Sequence, residues 1–139
     1  MFDIENSQGW PMPVLDDLNR PLFDGMKEGK VMVQKCDDCG TWLAPSAFIC
    51  EACGSENVPW VEASGKGELY TYVVYHRAYA PEFESMVPYN VALIELEEGP
   101  RVLANVVGIA NEDLQIGMAL KPVFQEVATG LPLLRFEPA

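Results

Sequence analysis

The stretch "CDDCGTWLAPSAFICEACG", residues 36–54, holds every cysteine of the chain in the spacing C-x2-C-x10-C-x2-C, with a glycine directly after each pair. Each pair is short enough to form a tight knuckle, and two facing knuckles place four thiolates at tetrahedral corners. Gly40 and Gly54 stand where a backbone without a Cβ can turn an amide toward a thiolate sulfur. Cys36, Cys39, Cys50 and Cys53 are therefore the expected metal ligands. Zinc is the first choice; iron takes the same four thiolates, and sequence does not separate the two. A redox dithiol would need one such pair in a βαβ setting, which is absent, and disulfide pairing is the remaining alternative. The single histidine, His76, lies more than twenty residues beyond Cys53, so the site closes on four thiolates with no open position for water. Such a metal is structural, a substitute for the core that a module of this size cannot build, and its loss is expected to unfold the module while the rest still folds.

Outward from this segment, 139 residues make one ordinary domain or two small ones, and 49% hydrophobic residues suffice for a packed core. No run approaches the roughly 18 apolar residues of a membrane span. The start, MFDIENSQGW, is acidic where a secretory signal is basic and then apolar. The expectation is a cytoplasmic protein with no membrane partner, in a compartment that keeps thiols reduced. Charge bears on the partner too. Zinc modules often serve nucleic acids, but 21 acidic residues against 9 basic ones repel a polyanion. Residues 36–65 carry five acidic side chains and no basic one. Tyr70, Tyr72, Tyr75 and Tyr79 could stack bases, yet without a basic groove they read as core and ligand-wall residues. A nucleic-acid-binding zinc ribbon is thus the less favoured reading, and no nucleic acid is expected as a partner.

Before the cysteines, "DDLNRPLFDGMKEGK", residues 16–30, reads as a short helix with Asn19 as cap, Pro21 in the first turn and Gly29 as stop. Leu18, Leu22, Phe23 and Met26 share one face, which either packs on its own ribbon or docks on another protein. Residues 1–15, with Trp10, Pro11 and Pro13, read as an extended arm. After the cysteines the pattern alternates. Residues 58–79 read as one strand bent by a glycine bulge at Gly65 and Gly67. Strands at 89–96 and 101–109 are joined by a hairpin at Glu97–Pro100; residues 111–118 read as a polar turn or single helical turn; 119–127 and 131–138 flank the Thr129-Gly130 turn. Five strands in this order fit a small barrel of the OB type, although propensity alone allows another small barrel.

These residues also carry a family resemblance. The succession "CDDCGTWLAPSAFICEACGS", "WVEASGKGELYTYVVYHRAYAPEF", "VPYNVALIELEEGPRVLANVVG", "IGMALKPVFQEV" and "LLRFEPA" resembles the family that joins a rubredoxin-like zinc ribbon to an acyl-CoA-associated OB fold. The match includes the leading helix, Ser64 to Gly67, Val87-Pro88-Tyr89, and Arg135-Phe136-x-Pro138. The fold expected is mostly β: arm and helix over 1–30, zinc ribbon over 31–60, and a five-stranded OB-type barrel over 61–139. Members typically accompany thiolase-fold enzymes: thiolases, acyltransferases, and the aldolases of steroid side-chain degradation. The resemblance implies a non-catalytic accessory subunit that completes the acyl-CoA site of a thiolase or aldolase in a degradative pathway and stabilises a hetero-oligomer. The cofactor implied is structural zinc, with a CoA thioester as substrate of the complex. The alternative is an acyl-CoA carrier or scaffold between two enzymes.

A free-standing enzyme fits poorly with one histidine, no spare cysteine and no Gly-rich phosphate loop, and no catalytic residue is assigned. Glu82, Glu84, Glu97 and Glu98 fall in turns and read as solvated. The connection "HRAYAPEFESMVPY", residues 76–89, is unusually apolar for a loop. Tyr79, Phe83, Met86 and Tyr89 either form a wall for an acyl or pantetheine chain or partner, or simply close the barrel end. His76, Arg77 and Arg101 are candidate orienting groups. From residue 66 onward, Lys66, Arg77, Arg101, Lys121 and Arg135 face ten acids, so the CoA phosphates must be held by the partner.

Overall fold

The computed structural model describes residues 12–128 and 130–139. Trp10 and Pro11 of the expected arm and Thr129 of the expected turn lie outside the described residues. Helix α1 (Arg20–Lys27) has proline in its first turn, where a missing N–H costs nothing, and ends at Gly29 with φ 71°. Lys30 N–H reaches the Gly25 carbonyl and Gly29 N–H that of Met26, the reciprocal pair of a Schellman stop. Asn19 occupies the N-cap position, but its amide faces backward: Oδ1 accepts from the Asp16 N–H at 2.9 Å and Nδ2 donates to the Val14 carbonyl at 2.9 Å. It fastens the preceding turn instead of capping the helix. Leu22, Phe23 and Met26 pack inward, against β1 (Val31–Lys35) and β8 (Leu131–Pro138). Of the two readings open for this face, internal packing is what the structure has.

Strand β1 is central in a small antiparallel sheet, between β2 (Trp42–Leu43) and β3 (Trp60–Ala63). The second sheet runs β6-β5-β4-β7-β8, with β4 at Gly67–Tyr75, β5 at Tyr89–Leu96, β6 at Arg101–Ala104 and β7 at Ala119–Ala128. A parallel bridge between Val106 and Phe136 joins its two ends. The result is the nearly closed five-stranded barrel expected of an OB fold. In β5 the alternation of YNVALIEL sends Asn90, Ala92, Ile94 and Leu96 inward, as a strand with one buried face requires. The turn expected at 111–118 contains a single 3-10 turn, Asn111–Asp113.

Two strand expectations change. The single bent strand over 58–79 is two strands in different sheets, because β3 pairs with β1 and β4 with β5 and β7. The bulge lies farther on, between Leu69 and Thr71. Between the sheets sits Gly65, with φ 84°; a Cβ there would lie 2.7 Å from Pro122 Cγ on the barrel and 3.2 Å from Val31 Cγ2 on the ribbon sheet. Glu98, expected to be solvated, accepts from the Ser64 N–H at 2.8 Å and its hydroxyl at 3.3 Å, tying this crossing to the β5–β6 hairpin. The strand expected to reach residue 109 ends at Ala104. Its continuation is taken over by a side chain: Asn90 Oδ1 accepts from the Val106 N–H at 2.7 Å and Nδ2 donates to the Val106 carbonyl at 2.8 Å, as a neighbouring strand would. The connection over 105–118 is therefore slightly longer than the one over 76–88.

Val31, Val33 and Ala63 share one apolar cluster with barrel residues such as Leu69, Ile94 and Phe136. The cysteine knuckles have a separate small cluster: Cys36, Leu43 and Cys50, with Ala47 and Val58 packed on it. Metal loss should therefore release the knuckles and leave β1 and β3 attached to the barrel, a narrower effect than unfolding the whole ribbon.

Two glycines with positive φ separate backbone strain from crowding. Gly117, with φ 89° and nothing within 4 Å of the position a Cβ would take, should cost about 1–2 kcal/mol on replacement by alanine. Gly65→Ala meets Pro122 as well and should cost about 1–3 kcal/mol more. Urea denaturation checks this order; equal losses would show that the crossing is not tightly packed.

Candidate functional site

The two knuckles repeat one hydrogen-bond pattern. Gly40 N–H bonds the Cys36 carbonyl at 2.9 Å and Gly54 N–H the Cys50 carbonyl at 2.8 Å, while Cys36 and Cys50 N–H reach Thr41 and Ser55 carbonyls. Gly40 and Gly54 have φ 77° and 75°, a left-handed turn open to glycine; their own amides go to the Cys36 and Cys50 carbonyls, and the amides at the sulfurs of Cys39 and Cys53 are those of the next residues, Thr41 and Ser55. The four sulfurs lie within 4.8 Å of one another. Cys36 and Cys53 sulfurs are 3.6 Å apart, and those of Cys39 and Cys50 3.5 Å, far from a disulfide bond of about 2.05 Å. Metal–sulfur bonds of about 2.3 Å at tetrahedral angles separate sulfurs by about 3.8 Å. The donor set and spacing thus fit zinc in a zinc-ribbon domain, with Cys36 and Cys50 buried and Cys39 and Cys53 exposed. Ionisation agrees. A hydrogen bond with the Thr41 hydroxyl pulls the Cys39 thiol down to about 6. At Cys53 the Ser55 N–H also lowers the value, but desolvation and the neighbouring thiols prevail and push it up to about 12. Clustered thiolates repel one another, and a cation between them offsets that repulsion.

The loop between the knuckles is fixed by Gln34, a residue the sequence reading did not single out. Its buried side-chain amide accepts from the Ala47 N–H at 2.6 Å and donates to the Ala47 and Val58 carbonyls at 2.9 and 3.0 Å. Across the knuckles, the Asp38 carboxylate accepts from the Ser55 hydroxyl, which accepts in turn from Asn57 N–H.

On the barrel, the candidate wall residues separate into groups. Tyr89 stacks on Tyr75 at 5.3 Å between centroids; Tyr79 meets Tyr75 edge-on at 6.1 Å; Phe83 lies 5.8 Å from Tyr89. The Arg77 guanidinium sits 5.4 Å over the Tyr79 ring. Met86 is half-buried, its N–H bonded to the Phe83 carbonyl. Tyr75, one of the strand tyrosines read as core or ligand-wall residues, organises this group; its place opposite Tyr89 on the outer face is a register fact, visible once the two strands flanking the loop are paired. His76 faces another recess, of about 320 Å³, beside Tyr72, Asn111 and Glu112. Arg101 is elsewhere again, 3.7 Å over Tyr70 and bonded to Glu95 at 2.9 Å. It stands at the mouth of an apolar cleft of about 390 Å³ between α1, the ribbon and β6, lined by residues including Leu22, Met32, Pro45 and Leu103.

Fold and site together define a zinc ribbon fused to an OB barrel. Residues 23–59 match the family described as "ChsH2, rubredoxin-like zinc ribbon domain" and residues 60–125 that described as "ChsH2, C-terminal OB-fold domain". The chain belongs to this ChsH2-type DUF35 family. Among its relatives is the "Probable enoyl-CoA hydratase alpha subunit" of Thermomonospora curvata, 39% identical over 129 residues. That alignment covers 93% of this chain but 40% of the relative, so the chain spans well under half of that protein. A "DUF35 domain-containing scaffold protein" of Methanocaldococcus jannaschii is 42% identical over 94 residues, covering 67% of this chain and 66% of the relative. A chain of the solved "Ltp2-ChsH2(DUF35) aldolase" superposes with a TM-score of 0.81 at 38% identity, over 91% of this chain and 98% of that one. Among the described residues no helix is long and apolar enough to cross a membrane.

Gln34→Ala should strand the Ala47 N–H and carbonyl, lowering stability by about 2–4 kcal/mol and speeding zinc transfer to a chelator on the order of tenfold. A chromophoric zinc chelator reads the release rate. Wild-type kinetics in the variant would show that the knuckles do not depend on this clasp.

Proposed function

We propose that this chain is a non-catalytic accessory subunit of an acyl-CoA-processing complex, that its partner is a thiolase-fold enzyme of the thiolase or aldolase kind, and that it acts in the cytoplasm. The observation carrying this reading is the end-to-end likeness to a chain of the Ltp2-ChsH2 aldolase, which covers 98% of that chain. Relatives named as a CoA hydratase alpha subunit point to the same class of substrate.

The geometry supports the division of labour. Four thiolates saturate a tetrahedral ion, so zinc would hold the fold and leave no position for a substrate oxygen. Of the barrel's five cations, Arg101 is paired with Glu95, Lys121 with Glu137, Arg77 lies against Tyr79 and Arg135 is bonded to Gln125. A diphosphate and a 3′-phosphate need several free ones. The partner would supply these, and this chain the apolar wall of Tyr75, Tyr79, Phe83, Met86 and Tyr89, with Arg77, the one candidate cation beside that wall, orienting the thioester. The name of the archaeal relatives favours a second reading, a scaffold holding two enzymes. Mass separates the two: one kind of partner in the complex, or two.

Calorimetric titration of the isolated zinc-loaded chain with an acyl-CoA should give no binding in the micromolar range, and the chain alone should show no turnover. Both should appear when the thiolase-fold subunit is added. Micromolar affinity without a partner would overturn this reading in favour of a free-standing carrier.

A further inference from the structure

The knuckle loop presents two large apolar residues that its own module does not use. Phe48 is 75% exposed and Ile49 52%, although they directly precede the buried ligand Cys50. The ribbon's small cluster takes Ala47, Leu43 and Val58 instead. A module this poor in core residues gains about 2–3 kcal/mol from burying a Phe, so leaving one outside is costly. The loop is also rigidly held, since Gln34 clasps Ala47 through its N–H and carbonyl both. An exposed aromatic on a fixed frame loses little entropy on binding, which is the property of an interface anchor.

The surroundings select the occupant. Asp37 and Asp38 lie between the first two cysteines and Glu51 between the last two, and all three are exposed, as is Glu56. No basic residue occurs from 36 to 65. Two such tips repel each other, as would nucleic acid or an anionic membrane. An apolar pocket rimmed by lysine and arginine complements both the side chains and the charge.

We propose that Phe48 and Ile49 anchor this chain in a basic-rimmed apolar pocket of its thiolase-fold partner, an inference that rests on the accessory-subunit reading. The test uses the full zinc-loaded chain and, as probe, the Ltp2-type aldolase subunit of the same organism, with binding followed by interferometry. Phe48→Ser with Ile49→Ser should weaken the complex at least about 30-fold, with zinc content and melting unchanged. Asp37→Asn with Glu51→Gln should slow association several-fold and flatten its salt dependence. Wild-type affinity in the serine variant, or wild-type association in the neutralised one, overturns the proposal while leaving the accessory-subunit reading standing. A wild-type chain that is a dimer and becomes monomeric on serine substitution overturns it too, in favour of self-association. A wild-type chain that does not bind the aldolase subunit removes this proposal and, with it, the aldolase form of the accessory-subunit reading.

Discussion

Four cysteine sulfurs gathered within 4.8 Å of one another are the constraint from which the knuckles over residues 36–58 take their shape. The knuckle cluster contains few apolar side chains, Leu43, Ala47 and Val58 among them. That burial alone would not offset the ordering entropy of some twenty residues at about 1–2 kcal/mol each. A metal ion bound by Cys36, Cys39, Cys50 and Cys53 supplies the missing free energy locally. Because the knuckles are set by the ion and by the Gln34 clasp, the loop between them need not bury its largest residues, and Phe48 and Ile49 are free to point outward.

The second constraint is the crossing at residues 64–67. Gly65 lies between the ribbon sheet and the barrel with no room for a Cβ, and Glu98 fastens Ser64 beside it. Gly67 is equally confined, since a Cβ there would lie 2.6 Å from the Glu95 carbonyl oxygen. Through this crossing Val31, Val33 and Ala63 enter the barrel's core. Ribbon sheet and barrel are consequently one packed body, with α1 packed on β1 and β8. The accessory role proposed would need this rigidity, since positioning depends on supporting contacts that do not move.

Legibility in the sequence followed the range of the interactions. The ligand set could be read because both pairs and their glycines are local, and β5 because its alternation is strict. The division between β3 and β4 could not, since residues alternate on both sides of Gly65 and only long-range pairing assigns them to different sheets. Gln34 and Asn90 escaped notice for a similar reason. Each uses a side-chain amide in place of a backbone partner, at Ala47 and Val106, and nothing in the local pattern marks such a pairing. At the candidate wall the loop's aromatics were legible from composition, whereas the separation of His76 and Arg101 from them is a matter of strand geometry.

A metal at this site would be structural and local, fixing the knuckles while β1 and β3 belong to the barrel. Hydrogen–deuterium exchange with and without a zinc chelator tests this directly. Amides over residues 36–58 should lose protection on chelation, while those of Val31, Val33, Val61 and Ala63 and of β4, β5, β7 and β8 keep theirs. Loss of protection across the whole chain, or none at the knuckles, would contradict the account.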